Sequence, residues 1–542
     1  MSKNIIINTQ KELINSEVTD PLVVRTCNCE RKVEQTPHIT FTLIVGVLSA
    51  AIGLSYQLGY NVSVLSGPKE AITFNFNPCN VSITNSTCND TLQYMRETNY
   101  AIVTATLPAS AVIGSLLIPT FLNKFGRKKG ILFSTAFSVA AALFFSISKA
   151  TNSIWVVFVG RIFIGVFAGL ASGLAPTYLI EIAPRQWRGA IGVISQLFVT
   201  IGMLVGRALG LKMLLGSASL WPVLLVFTII PTVIILIESV AMPESPRYLM
   251  LDAKDHELTE TTLIKLRGDG NVRDEIQEYK EEGEIDRNKV VGIIELLKEK
   301  SVKWQLMSVA AMHVAQQLCG INAVFFYTSS IFDLANIERG QPQYITSVAV
   351  YTVYVIVTVI VVLIIEPAGR KKLIVYGYAN MVFSCMLLTI TLTTLESQLA
   401  EHTVTPGRSP TSISYWSMAF VVLYIVGFAL GPGPVPWVLT AEIFTQKTRP
   451  AAMSIGCMLN WTCNFLVSVS FPFMQRATGA YVFLLFLIVC VGAAAYMNVV
   501  LPETRNKTFK QIHCIFAKMN GVEAVPSGND VVLELLKDKS QS

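Results

Sequence analysis

The sequence predicts an all-α membrane protein: twelve transmembrane helices in two parallel six-helix halves, with a helical linker between them. Three observations predict it. Hydrophobic residues make up 52% of the 542-residue chain and charged residues only 14%, against roughly 25% in a soluble domain. The charge is badly mixed, confined to short connectors between apolar runs of about 20 residues, the length a bilayer-crossing helix needs. Three short charged motifs also recur in the same order in both parts of the chain.

Taken in order, residues 1–38 mix both charge signs without an apolar stretch. They read as a tail rather than a cleavable leader. Apolar runs come next at 39–62, 100–122, 131–149, 154–180, 189–212 and 219–241, then at 304–330, 345–365, 373–395, 414–440, 450–472 and 480–501. The division expected is a tail at 1–38, a six-helix bundle at 39–241, a charged helical linker at 242–303, a second bundle at 304–501 and a tail at 502–542. The basic connectors alternate: "NKFGRKKG" joins spans two and three, "EIAPRQWRGA" four and five, "EPAGRKKL" eight and nine, and "EIFTQKTRPAA" ten and eleven. All then share one face with the linker and both tails, and Lys and Arg in short loops mark that face as cytoplasmic. The net charge of +6 needs no nucleic acid to explain it. On the opposite face, loop 63–99 carries three glycosylation sequons, at Asn80, Asn85 and Asn89, as expected of an extracellular loop. Cys79 and Cys88 flank the first two of them and can form a disulfide there.

The repeat is read from three matched pairs. Arg127 and Arg370 sit in GRKK knots 243 residues apart. Glu181 and Arg188 match Glu442 and Arg449, each pair seven residues apart and the two pairs offset by 261. "PESPR" at 243 matches "PETRN" at 502. A six-helix unit duplicated in one orientation places a solute site near the membrane midplane between the halves. The knots can then lock the inner face: Arg127, Arg188, Arg370 and Arg449 with Glu181 and Glu442, together with Glu244, Arg247 and Glu366 of the same loops.

Polar residues inside spans are costly and functional by default. Span five carries Gln196, span seven Gln316, Gln317 and Asn322 around Gly320, and span eleven Asn460, Trp461 and Asn464. Span ten carries "GPGPVPW", which must interrupt its helix, ending in Trp437. Amides both donate and accept and an indole offers a flat apolar face. Together they suit a neutral, hydroxyl-rich ring such as a sugar, with no countercharge for an ionised solute. Asn61 in span one stands where an acid could cycle a proton, and no Walker A sequence couples ATP, so passive exchange is expected. Neither a nucleophile–base pair nor a metal-ligand cluster suggests an enzyme or a cofactor. Arg207, late in span five, is expected to snorkel outward; Glu238 has no reading.

With "FGRKK", "PTYLIEIAPRQWRGA", "PESPRYL", "QQLCGINAVFFYTSSIF", "GPGPVPW", "NWTCNF" and "PETRNKTF", residues 40–510 resemble the animal facilitative glucose transporters, in the sugar porter branch of the major facilitator superfamily. The resemblance implies a plasma-membrane uniporter working by alternating access. It places hexose-binding residues at Gln196, Gln316, Gln317, Asn322, Trp437 and Asn460, with Trp461 beside them. It places gate residues at Asn61, Phe326 and Tyr327, with Asn61 replacing the acid that proton-coupled relatives carry opposite the position of Arg161. Partners are then a small-molecule hexose and the lipid bilayer, with at most a weak homo-oligomer. Three departures bear on the cargo. Tyr354 stands where glucose-preferring members have Asn, Ala429 where many have Glu, and "HVA" at 313–315 where a glucose-selectivity triplet reads Q-L-S. Glucose is the leading expectation; a fructose-selective or broad hexose and polyol carrier is the alternative, and a non-transporting sugar sensor the alternative of another class.

Overall fold

The computed structural model describes residues 38–68, 72, 86–151, 153–268, 272–285, 292–322, 324–325, 341–400, 412–505, 507 and 509–521. Residues 1–38 form a unit of their own, of which only His38 is described; the helical body is the second unit, which begins at Ile39.

Among the described residues, eleven helices are long and apolar enough to cross a membrane: Phe41–Ser66, Thr98–Phe125, Arg127–Ile147, Ile154–Ile182, Arg185–Leu209, Trp221–Glu238, Val348–Ala368, Arg370–Gln398, Ser412–Ile443, Arg449–Phe471 and Phe473–Val500. These are spans one to six and eight to twelve. Span seven runs as a helix over Lys303–Leu318, breaks, and resumes at Ile321. The break has a local cause: Gly320 sits at φ +90°, a left-handed conformation that a residue with a Cβ resists. Large apolar side chains such as Ile113, Leu143, Leu363, Ile390 and Ile488 lie exposed on the outer surfaces of spans, as a lipid-facing surface requires.

Several edges differ from the sequence expectation. The second helix begins at Ser86, well before 100, because its polar first turns extend beyond the apolar stretch. Asn89 therefore lies on a helix, while Asn80 and Asn85 fall outside the described residues. Spans three and nine start at Arg127 and Arg370 rather than 131 and 373. The basic residues form the first turn of each helix, since the preceding Gly126 and Gly369 (φ +78° and +89°) make the corner. Span six divides into Trp221–Val226 and Ile229–Glu238; Pro231 has no N–H for the Phe227 carbonyl and its ring crowds it. Span ten divides at Gly431–Pro434 into Ser412–Leu430 and Val435–Ile443.

The linker, expected as solvated helices and loops, folds on itself. Pro246–Leu251, His256–Arg267 and Arg273–Ile285 share a small core of Met250, Leu263, Val272 and Tyr279. In the tail, Phe509–Asn520 is helical, burying Ile512 and Phe516. Span two packs on span eleven and span five on span eight; these pairs join the two halves on either side of a central cavity.

Candidate solute cavity and its closed end

The cavity takes in about 740 Å³, its open mouth included, within the roughly 300–1,000 Å³ of small-molecule sites. Spans one, four and five of the first half and seven, eight, ten and eleven of the second line it. All seven residues expected to bind solute (Gln196, Gln316, Gln317, Asn322, Trp437, Asn460 and Trp461) are on its wall, and no acidic or basic side chain is among the described lining residues.

The broken helices explain how the amides are held. The Gly-Pro-Gly-Pro turn of span ten frees backbone carbonyls, and Gln316 Nε2 donates to those of Pro432 (2.8 Å) and Gly433 (2.6 Å). Freed at the break in span seven, the Cys319 carbonyl accepts from the Tyr424 hydroxyl at 2.5 Å. Gln316 Oε1 then accepts from Asn460 Nδ2 (2.5 Å), and Asn460 Oδ1 from Gln317 Nε2 (3.0 Å). Gln317 Oε1 accepts in turn from Asn322 Nδ2 at 2.6 Å and Asn464 Nδ2 at 3.3 Å. The chain of amides runs from buried backbone to the cavity surface. Gln316 is thus a brace for span ten as much as a lining residue, which the sequence did not disclose.

Two hydrogen bonds cross between the halves at cavity level: Gln196 Nε2 donates to the Tyr354 hydroxyl (3.0 Å) and Trp461 Nε1 to Ser172 Oγ (3.2 Å). Trp437 leans edge-on against His313, with ring centroids 4.7 Å apart, and His313 Nε2 lies 3.1 Å from Thr440 Oγ1.

Asn61, expected at a gate, is not on the wall. Fully buried one layer behind it, its Nδ2 donates to the Gln57 carbonyl (2.8 Å) and Thr228 Oγ1 (2.9 Å), while its own carbonyl accepts from Arg161 Nη1 at 2.9 Å. No carboxylate pairs with Arg161 among the described residues. Phe326 and Tyr327 lie outside the described residues; the neighbouring Phe325 lines the cavity. Arg207 is 8% exposed, so it is buried within the protein rather than snorkelled, and lies within electrostatic reach of Tyr351. Glu238 is half-buried, and its Oε2 is shielded with no hydrogen-bond partner among the described residues.

At the end carrying the basic loops, the repeat becomes a pair of matching knots. Arg127 bonds Glu181 through Nε (2.8 Å) and Nη2 (3.1 Å), and Arg370 Nη2 bonds Glu442 at 3.0 Å. Ser245 donates to Glu181 as Thr504 does to Glu442. Glu244 accepts the first N–H groups of span three, from Arg127 (3.0 Å) and Lys128 (3.1 Å); Glu503 does the same for span nine, from Arg370 (3.0 Å) and Lys371 (3.1 Å). A carboxylate at a helix N-terminus satisfies orphan donors and meets the positive end of the dipole. Glu244 therefore caps a helix rather than joining an ion pair, and Glu503, missing from the expected lock, is its counterpart. The matching of "PESPR" with "PETRN" carried that signal.

Links between the halves close this end. Arg449 Nη1 lies 3.0 Å from Glu181 Oε1. Glu366, paired with Arg370 at 2.8 Å, accepts from the backbone of Gly189 (2.7 Å) and Ala190 (3.2 Å) at the start of span five. The linker adds Asp252, accepting from Gln446 Nε2 at 3.1 Å, and Glu282, accepting from the Gln446 backbone at 2.8 Å. Arg188 lies within electrostatic reach of Glu442, as expected, and also meets Glu278 of the linker at 4.0 Å, because the folded linker brings its own acids under span five. Arg247 likewise pairs with Glu282, its guanidinium 4.6 Å from the centre of the Tyr279 ring.

Two six-helix bundles, tied by ion pairs at one end and enclosing a neutral amide-lined chamber at their junction, define a membrane solute carrier of the major facilitator kind. The chain belongs to the sugar transporter family, whose profile, described as "Sugar (and other) transporter", matches residues 46–516. It is 36% identical over 499 residues to solute carrier family 2, facilitated glucose transporter member 5 of Ovis aries, covering 91% of this chain and 95% of that one. It is 35% identical over 484 residues to member 7 of Mus musculus, covering 89% and 91%. Among solved structures, the proton:xylose symporter XylE bound to 6-bromo-6-deoxy-D-glucose superposes with a TM-score of 0.74 at 22% identity, over 88% of this chain and 99% of that one. The inward open form of XylE from E. coli gives 0.62 at 23% identity, over 87% and 99%.

Proposed function

We propose that the protein is a facilitative hexose carrier that moves sugar across the plasma membrane by alternating access, without proton or ATP coupling, and with both termini in the cytoplasm. The observation that carries this reading is a chamber at the junction of the halves whose described lining residues offer amides and two indoles but no acid or base. Such a lining suits a neutral polyhydroxylated ring. The ion pairs and helix caps at the basic end act as the inner gate. Millimolar binding asks for only about −4 kcal/mol, which a few amide bonds at about 1 kcal/mol each and a stacked indole supply. Asn61 beside Arg161 leaves no titratable acid at that position, which supports uniport. The relatives at 34–36% identity bear the name of facilitated glucose transporters, which supports a sugar as cargo; glucose is the leading reading.

Uptake of a panel of labelled hexoses into proteoliposomes, with and without a pH gradient, tests the reading. Saturable uptake indifferent to the gradient is expected; a rate that follows the gradient overturns uniport, and no uptake overturns transport. Tyr354 in the cavity wall favours a second cargo, fructose or a broader range of hexoses and polyols, which cold fructose competing with labelled glucose would reveal.

A further inference from the structure

A short helix, Ile293–Lys298, leads from the linker into span seven. Its inner side is fixed to the body: Leu296 is buried in the main core, Ile293 packs on that core, and the helix rests on span eleven. Its outer side is apolar. Ile294 and Leu297, neighbours on a helix surface by their spacing, are 68% and 57% exposed. Lys298 completes that face, and Lys300 and Lys303 follow on the way into span seven; all three are exposed. The two acids of the stretch serve the backbone: Glu295 accepts from the Gly292 N–H at 3.0 Å and Glu299 from the Ser301 N–H at 3.1 Å. The tail helix packs on Lys300–Val302 and adds the exposed Lys518. Span seven supplies the level of the bilayer. Lys303 is followed by the half-buried Trp304 and then by Met307, 41% exposed. A cation, an indole and then an outward apolar side chain is the order in which a helix passes from headgroups into hydrocarbon.

We propose that Ile293–Lys298 is an interfacial anchor. Ile294 and Leu297 dip into the leaflet that meets the basic end, and Lys298, Lys300, Lys303 and Lys518 hold the headgroups of anionic phospholipids there. Four lysines against two glutamates leave this surface positive, and apolar side chains rimmed by lysines suit an anionic membrane surface. The lysine stems cover apolar surface while their heads reach the headgroups. The anchor fixes the foot of the span that carries Gln316 and Gln317. The inference rests on the membrane-spanning body alone and is independent of the cargo.

The test places a fluorescent probe on Ile294→Cys in the full chain, in nanodiscs of phosphatidylcholine alone or with phosphatidylserine, against the unsubstituted chain as background. Two quenchers are compared: acrylamide, neutral and dissolved in the water, and phospholipid brominated along its acyl chains. Adding phosphatidylserine is expected to move quenching from acrylamide to the brominated lipid. Lys298→Gln should lower the ratio of buried to wet probe about fivefold, as the loss of one lysine near a charged membrane would. Lys298→Gln, Lys300→Gln, Lys303→Gln and Lys518→Gln together should abolish the response to phosphatidylserine, as should high salt on the wild type. Lys124→Gln with Lys129→Gln, exposed lysines near the corner between spans two and three, should leave it unchanged. A probe open to acrylamide in both membranes overturns the proposal. So does a probe shielded equally in both, since neutral lipid or another segment of the chain then covers the face. A response that survives the fourfold variant overturns it as well; should that variant fail to reach the membrane, a wild-type response that survives high salt decides in the same way.

Discussion

Arg449 of span eleven and Glu181 of span four meet at 3.0 Å with both side chains fully buried, and the same carboxylate holds Arg127 through two further bonds. One acid thus belongs at once to the knot of its own half and to the link with the other. Removing one member of a buried pair leaves the rest uncompensated, at about 3–5 kcal/mol. Glu181→Gln should lower the melting temperature markedly and raise thiol labelling of cysteines placed around the basic end. Glu503→Gln, which touches the cap of span nine and the neighbouring N–H groups of Thr504 and Arg505 but no link between the halves, should cost about 1 kcal/mol and leave labelling at the wild-type level.

In the cavity, Gln317 connects Asn460, Asn322 and Asn464. Gln317→Leu strands those partners, each buried unsatisfied group costing about 1–3 kcal/mol. Gln317→Leu and Trp437→Leu are each expected to reduce hexose uptake by roughly tenfold or more, with surface expression retained when checked by antibody labelling of intact cells.

Asn520 closes the tail helix onto span seven. Its Oδ1 accepts from the Trp304 N–H at 3.1 Å, and its Nδ2 donates to the Ser301 carbonyl (2.8 Å) and Gln305 Oε1 (2.9 Å). No side chain within span seven caps that helix start, so the cap comes from 216 residues away. Asn520→Ala should cost about 1–2 kcal/mol, read as a lower melting temperature, and Asn520→Asp, which keeps the acceptor but sets a carboxylate oxygen against the Ser301 and Phe516 carbonyls, should not restore it.

The linker carries a pH dependence. Arg267 bonds Glu275 at 2.9 and 2.7 Å, and donates to the carbonyl of Ile182 at the end of span four at 2.9 Å. Burial pushes the Glu275 carboxyl up, but Arg267 outweighs it and holds the group below its ordinary value near 4.5. A depressed folded value means that the pair stabilises fully above about pH 4.5 and less as the pH falls through the folded value. Hydrogen exchange over 256–285 should therefore stay flat from about pH 7 to about pH 5, after correction for intrinsic rate, and rise below about pH 4.5. Glu275→Gln should exchange faster throughout and lose the acid-dependent rise.

The corners at Gly126 and Gly369 make a matched test of the repeat. A Cβ at Gly126 would come within 2.8 Å of the Tyr248 ring, and one at Gly369 within 2.5 Å of Glu503 Oε2; the positive φ alone costs about 1–2 kcal/mol. Gly126→Ala and Gly369→Ala should destabilise to a similar degree, as measured by thermal melting in detergent.

Much of this was legible in the sequence because hydropathy and charge are one-dimensional signals. Eleven of the expected spans appear as such. Gly320 breaks the twelfth, and the GRKK knots stand at the corners that their glycines make. The amides also reach one chamber, since Gln317, Asn460 and their neighbours were the polar exceptions in apolar helices. What stayed hidden depends on three-dimensional partners. That Arg188 also meets Glu278 was hidden because the fold of the linker has no periodic signature. Gln316 turned to Pro432 and Gly433 because backbone carbonyls freed by a helix break leave no mark in the sequence, and Tyr354 gave no sign of its bond to Gln196.

The first knot is also complete early in synthesis. Arg127, Glu181, Glu244, Ser245 and Asp252 all precede the second bundle in the chain. A ribosome that has not yet begun the second bundle has already delivered every group needed to neutralise the first knot's buried guanidinium. The leading half can therefore settle in the translocon before its twin emerges, and Arg449 joins it to the second half only later, as that half's own knot is being completed by Glu503 and Thr504.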